Sequence, residues 1–306
     1  MTKFTFIRKF IILVIVCLLA DKALFFLLNR EIEANFDWRL NKVIQGKVNT
    51  EVLIIGSSRG ARGIIATDIE SKLKMKTFNL CYPGSNVVFH DFVLTTYLKY
   101  NRKPKIVVLS VDDDLEFVEN PWLGYRVDVL YSLTKDDYIN DILIERKENS
   151  RYSKYFNIPR LRKIHLNFGA PKLEKTDSIL SCGSMPILFR NKDAVFGLRD
   201  TNVVTYNKAL ENSLYKKSYQ HILTTCNKEN IKVYLAIPPN YKPMNPTFIA
   251  RLKELTPKNV KTHIYNQTEK SYCDSMFFYD LTHLRRNGAK LYTKELADFL
   301  FESEKK

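Results

Sequence analysis

The residue types that acyl chemistry needs stand at the two ends of this chain. A serine lies in Val52-Leu53-Ile54-Ile55-Gly56-Ser57-Ser58-Arg59, and a carboxylate–imidazole pair lies in Tyr279-Asp280-Leu281-Thr282-His283-Leu284. A serine hydroxyl is a poor nucleophile until a base takes its proton, and the base needs a carboxylate to orient it. Asp280 and His283 are three residues apart, so one turn of chain can hold the carboxylate against one ring nitrogen and leave the other for the serine. The order Ser, Asp, His is that of a hydrolase or acyl-transfer triad. A purely structural reading stands beside it, in which Ser57 and Ser58 cap the helix after the first strand and Asp280 caps the last helix.

The elements that must position these groups follow an alternating βα rhythm. Residues 51–56 form an apolar β-branched run that reads as a buried strand turning sharply at Gly-Ser-Ser. Residues 76–80, 105–111, 231–237 and 276–279 are the other expected strands, with helical patterns over 68–73, 89–100, 206–227 and 288–301. Near-continuous apolar strands such as Ile106-Val107-Val108-Leu109 suit a parallel sheet covered on both faces. The expected fold class is therefore α/β, a three-layer α/β/α sandwich around a central parallel sheet. In such sheets ligands bind outside the carboxyl ends of the strands. Ser58, Gly84, Asp112 and His283 each follow an expected strand. Residues 116–204 break the rhythm and read as an inserted subdomain overhanging the site as a lid, with Trp122, a basic aromatic stretch at 151–156, and Arg160-Leu161-Arg162-Lys163.

These blocks resemble the SGNH/GDSL hydrolase superfamily, in its membrane-anchored bacterial branch of envelope acyl-esterases and O-acyltransferases. The resemblance spans roughly residues 50 to 302 and implies a flavodoxin-like sheet order. Gly56-Ser57-Ser58 matches the first family block with Ser57 in place of its aspartate, which makes Ser58 the nucleophile. Asn79-Leu80-Cys81-Tyr82-Pro83-Gly84 matches the second, with Gly84 as its glycine. Asp280-Leu281-Thr282-His283-Leu284, followed by Gly288-Ala289, matches the last. The third block is broken, because Ser110-Val111-Asp112-Asp113 stands where an oxyanion-hole asparagine belongs. The resemblance thus implies Ser58, Asp280 and His283 as catalytic residues and Ser58 and Gly84 as oxyanion donors; Asn86, two residues beyond Gly84, is the candidate substitute for the missing amide. It implies no cofactor. The partners it implies are an acylated glycan or acyl donor, the membrane and a membrane-bound O-acyltransferase. The broken block keeps a second reading open, a catalytically silent glycan-binding or scaffold protein.

At 306 residues the chain can bury one sizeable core. Its 48 Lys and Arg against 33 Asp and Glu give a net charge of +15, which favours anionic partners or simply a soluble lysine-rich surface. No zinc-finger spacing or RNA-binding aromatic signature accompanies that charge, which argues against nucleic acid. Asp112-Asp113-Asp114 with Glu116 is dense in carboxylate but has no histidine at ligand spacing, so no metal site is expected. Cys81, Cys182, Cys226 and Cys273 show no Cys-x-x-Cys spacing and read as buried thiols, with disulfides left open.

Residues 1–30 read as an anchor: Lys3, Arg8 and Lys9 precede an apolar stretch from Phe10 to Leu28, interrupted by Asp21-Lys22. No small-x-small cleavage site follows it, and residues 31–50 read as a stem leading to the domain at 51–306. Basic residues flank both ends, so charge does not orient the span, and the resemblance is what points the domain outward. A reporter that works only in the cytoplasm, fused after Lys306, is expected to stay silent, and an active one would contradict this topology.

Overall fold

The computed structural model describes residues 3–29, 37–161, 178–196 and 204–305. Arg30 of the expected anchor, part of the expected stem (31–36), and Arg162, Lys163 and His165 of the excursion lie outside the described residues. The described chain divides into two compact units, residues 39–125 with 178–196 and 204–305, and residues 3–29 and 37–38 with 126–161.

The larger unit is α/β. Its five strands are β1 (Val52–Gly56), β2 (Thr77–Cys81), β3 (Ile106–Ser110), β4 (Lys232–Ile237) and β5 (Lys261–Ile264), all parallel in the order β2-β1-β3-β4-β5. Every residue of β1 and β3 is buried, as their unbroken apolar runs require. The chain leaves β1 for β2 on one side and returns to β3 on the other. The connections after β1 and β3 therefore diverge at the carboxyl edge and open a crevice there.

Of the chain's helices, α1 is Lys3–Asn29 and α2 Trp38–Ile44; in the larger unit α3 (Ser58–Gly63), α4 (Ala66–Leu73) and α5 (Val87–Tyr100) follow. Val52, Ile54, Ile106 and Val108 share one buried cluster with Ile69 of α4 and with Tyr292, Leu296 and Leu300 of the final helix. Arg39 of α2 is fully buried, donating to the carbonyls of Cys81 and Gly183 at 2.8 Å each, with its guanidinium over the Tyr82 ring. Cys81, Cys182 and Cys226 are buried free thiols, while Cys17 and Cys273 are exposed.

Two expectations are corrected. Residues 276–279 form no sheet strand; Ser275–Phe277 is a 3₁₀ turn capped by Asp274, and Phe278 makes an isolated bridge to Leu284. The fifth strand is instead Lys261–Ile264, a half-exposed edge strand too polar to read as a buried run. The 116–204 excursion is not one body either. Its 126–161 part, with α6 (Val127–Leu130) and α7 (Asp137–Glu145), groups with α1, and its two ends belong to the larger unit.

In the smaller unit α1 is 27 residues long and apolar enough to cross a membrane. The remaining helices of the larger unit are α8 (Ser213–Lys228), α9 (Pro246–Leu255) and α10 (Arg286–Glu304). α5 packs on α8 and α4 packs on α10.

Gly60 of α3 is tightly packed under the carboxyl edge. A Cβ there would lie 2.6 Å from Cys81 Sγ and 2.7 Å from Ser110 Cβ. In an exposed helix Gly→Ala gains about 1 kcal/mol, whereas overpacking a filled core costs about 1–3 kcal/mol. Gly60→Ala is therefore expected to lower the thermal midpoint of the full chain, and a raised midpoint would show that this contact is soft.

Candidate functional site

The serine line is built where β1 runs out. Gly56 has φ +151°, and a Cβ on it would meet Ser110 at 2.7 Å, so only glycine turns the strand here. Ser57 follows in extended conformation and caps α3, its Oγ accepting from the Arg59 N–H at 3.3 Å. That leaves Ser58 as the first residue of the helix, where its backbone N–H has no partner within the helix.

His283 reaches this hydroxyl from the far end of the chain. Its Nε2 lies 2.8 Å from Ser58 Oγ, and its Nδ1 lies 2.7 Å and 2.9 Å from the two Asp280 oxygens. A carboxylate only accepts, so the ring proton sits on Nδ1 and Nε2 is left to accept from the serine. Asp280 is itself held by the N–H groups of Thr282 (2.8 Å) and His283 (2.9 Å). Burial pushes Asp280 upward, but the hydrogen bond and charge of His283 and those two N–H groups outweigh it and bring it to about 2. The loop is closed by the Tyr279 N–H on the His283 carbonyl at 2.8 Å, and Leu284 is buried beneath it. Gly288 lets α10 approach, since a Cβ there would lie 2.6 Å from the Phe277 carbonyl. Asp280 does not cap α10; Arg285 occupies that position.

These groups open into a cleft of 460 Å³ whose walls include Gly84, Asp113, Trp122, Leu123 and Asn240. Gly84, with φ +71°, is pinned by the Gly124 N–H on its carbonyl at 2.9 Å. Trp122 is 81% exposed at this cleft. A larger hollow of 620 Å³, lined by Lys232, Tyr234 and Lys261, carries no nucleophile–base pair.

The expected role of Asn86 is corrected. It caps α5, with Oδ1 accepting from the Phe89 N–H (3.2 Å) and Nδ2 donating to the Tyr215 hydroxyl (3.0 Å), and it does not line the cleft. The only side-chain amide among the described residues lining the cleft is Asn240, just beyond β4. Its signal in the sequence was its place after Pro238-Pro239 at a strand's carboxyl end.

The carboxylates after β3 bond to protein groups. Asp112 accepts from the Ser57 hydroxyl, and its own N–H donates to Glu116 Oε2 at 2.7 Å. Asp113, at φ +52°, takes Arg59 Nη1 at 2.6 Å and the Asn240 amide at 3.2 Å. Arg59 also donates to the Pro238 carbonyl. Burial opposes its charge, but Asp113 and Asp112 outweigh burial and hold its pKa above the ordinary value. The sequence does not mark Arg59, because a charged side chain at the start of a helix ordinarily reads as exposed.

The chain matches no known family model and no curated protein.

Burial raises the pKa of Glu116 well above the ordinary carboxylate value of 4.5, and the charge of Asp112 raises it further. A group that binds its proton more tightly when folded contributes stability fully below pH 4.5 and loses it as the pH rises through the raised value. Glu116→Gln cannot ionise. The wild-type thermal midpoint is expected to fall more steeply than the variant's from about pH 5 to about pH 9. Equal slopes would contradict a buried, proton-holding Glu116.

Proposed function

We propose that the protein is a membrane-anchored serine acyl-ester hydrolase or O-acyltransferase of the SGNH type. The observation that carries this reading is the continuous line Asp280–His283–Ser58, with both hydrogen bonds at 2.7–2.8 Å. Its position at the carboxyl edge, beside the divergence after β1 and β3, supports it independently of any family likeness. The packing of α4 with α10, and of α5 with α8, fits a three-layer α/β/α sandwich.

In this mechanism His283 takes the Ser58 proton as the hydroxyl attacks an ester carbonyl. The C–O bond to the leaving alcohol breaks, His283 returns the proton to that alcohol, and an acyl-serine remains. Water or a sugar hydroxyl then accepts the acyl group by the reverse sequence. Asp280 keeps the imidazole in the required tautomer and stabilises its protonated form. The backbone N–H groups of Ser58 and Gly84 receive the oxyanion. Asp112 lines the cleft and accepts from the Ser57 hydroxyl, which partly offsets its charge beside the developing negative oxygen.

The acyl group is carried by an envelope polysaccharide, most simply as an acetyl ester. An exposed Trp122 offers a flat apolar face to a sugar ring, and the cleft's carboxylates and amide offer hydrogen bonds to its hydroxyls. The catalytic unit lies outside the cytoplasm, tethered by α1.

Ser58→Ala and His283→Ala are each expected to cut hydrolysis of an aryl acetate by about 10⁴-fold or more, and the double variant no further. Asp280→Asn is expected to leave more activity than either. Activity that survives Ser58→Ala but vanishes in Ser57→Ala would move the nucleophile. A wild type inactive on aryl acetates and acetylated glycans alike would favour the silent glycan-binding scaffold.

A further inference from the structure

Asp21 is the least expected residue in α1, a carboxylate within an apolar helix. It is 6% exposed, and its two oxygens accept the backbone N–H groups of Asn157 and Ile158 at 2.7 Å each. It thereby serves as the side-chain cap of the 3₁₀ turn Ile158–Arg160, whose own N-cap makes no side-chain bond. Phe25, one helical turn further along the same face, is buried as well, while Leu24, Phe26 and Leu27 on the other faces are exposed. The segment is cross-braced in its own right. Arg160 donates to the carbonyls of Ser153 (2.8 Å) and Thr134 (3.2 Å) and pairs with Asp137 at 2.7 Å.

Asp21 lies twelve residues beyond Lys9, about 18 Å along the helix, against a hydrocarbon core about 30 Å thick. Backbone at that level needs its polar groups satisfied from within the protein, and Asp21 does so. The outer surface of the same segment carries Tyr152 (70% exposed), Tyr155 (79%), Phe156 (43%) and Ile158 (45%), interleaved with exposed Arg151 and Lys154. Amphipathic aromatics with basic side chains are the composition of the membrane–water boundary. α1, whose own apolar side chains are exposed, contacts the adjoining turn Ile158–Arg160.

We propose that residues 151–158 form a foot seated in the lipid headgroup–acyl boundary beside α1, clamped there by Asp21. The helix is then a permanent part of the fold. Its removal after targeting would leave the Asn157 and Ile158 N–H groups without their acceptor. This inference rests on α1 crossing the bilayer and is independent of the ester chemistry.

The test places the photo-reactive residue benzoyl-phenylalanine at Tyr155, or at Leu13 in the span, in the full chain. The protein is reconstituted in vesicles of phosphatidylcholine with phosphatidylglycerol. Lipid adducts at both positions, within about threefold of each other, are expected for aromatics at the interface. Adducts at Leu13 without adducts at Tyr155 would overturn the foot and leave the span standing. Adducts at neither would overturn both.

Discussion

A buried guanidinium organises the carboxyl edge of the sheet. Arg59 sits one residue after the serine that faces His283, is 7% exposed, and must be compensated where it lies. Its partners are Asp113, beyond β3, and the Pro238 carbonyl, beyond β4. One cation thus ties the ends of three strands together, and removing its carboxylate would leave a buried charge at a cost of about 3–5 kcal/mol. Asp113 adopts a left-handed backbone to reach it, a strain such a network can sustain. Arg59 is held at the second position of α3, next to Ser58, and the Ser57 cap on its N–H starts the helix there.

Adjacent serines are separated in role by the same arrangement. Ser57 turns inward, where its hydroxyl bonds Asp112 and its oxygen caps α3. Ser58 turns outward to an imidazole held by a carboxylate and two backbone N–H groups. The structural reading of Gly-Ser-Ser as a helix cap therefore holds for the first serine, and the second is left with a base. Asp112, just beyond β3, accepts from Ser57, which gives its charge a partner inside the protein.

The sequence was most legible where burial is complete. β1, β3 and β4 are apolar runs enclosed on both faces, and they fall within a residue of their expected bounds. β5 was not legible, because Lys261-Thr262-His263-Ile264 is an edge strand whose side chains stay half-exposed. Met276-Phe277-Phe278-Tyr279 misled for the opposite reason: Phe278 is buried against the Tyr241 ring and Phe277 lies beside Gly288 of α10, while Met276 is 46% exposed, so the run is apolar without sheet pairing. The helix expected from residue 206 begins at Ser213, where Asn212 accepts two N–H groups and sets the start. Asn86 was placed at the site by proximity to Gly84, but a short polar residue before an apolar helix is first of all a cap. α1 bonds the 126–161 segment through Asp21, which in the sequence reads only as an interruption.

The central claim is that Ser58 is a nucleophile activated by His283. A fluorophosphonate probe reacts at a serine only when a base has raised its nucleophilicity, and mass mapping of the adduct identifies which hydroxyl reacted. The account expects one adduct, on Ser58, absent in Ser58→Ala and in His283→Ala and retained in Ser57→Ala. An adduct on Ser57, or labelling of Ser58 that persists without His283, would contradict it.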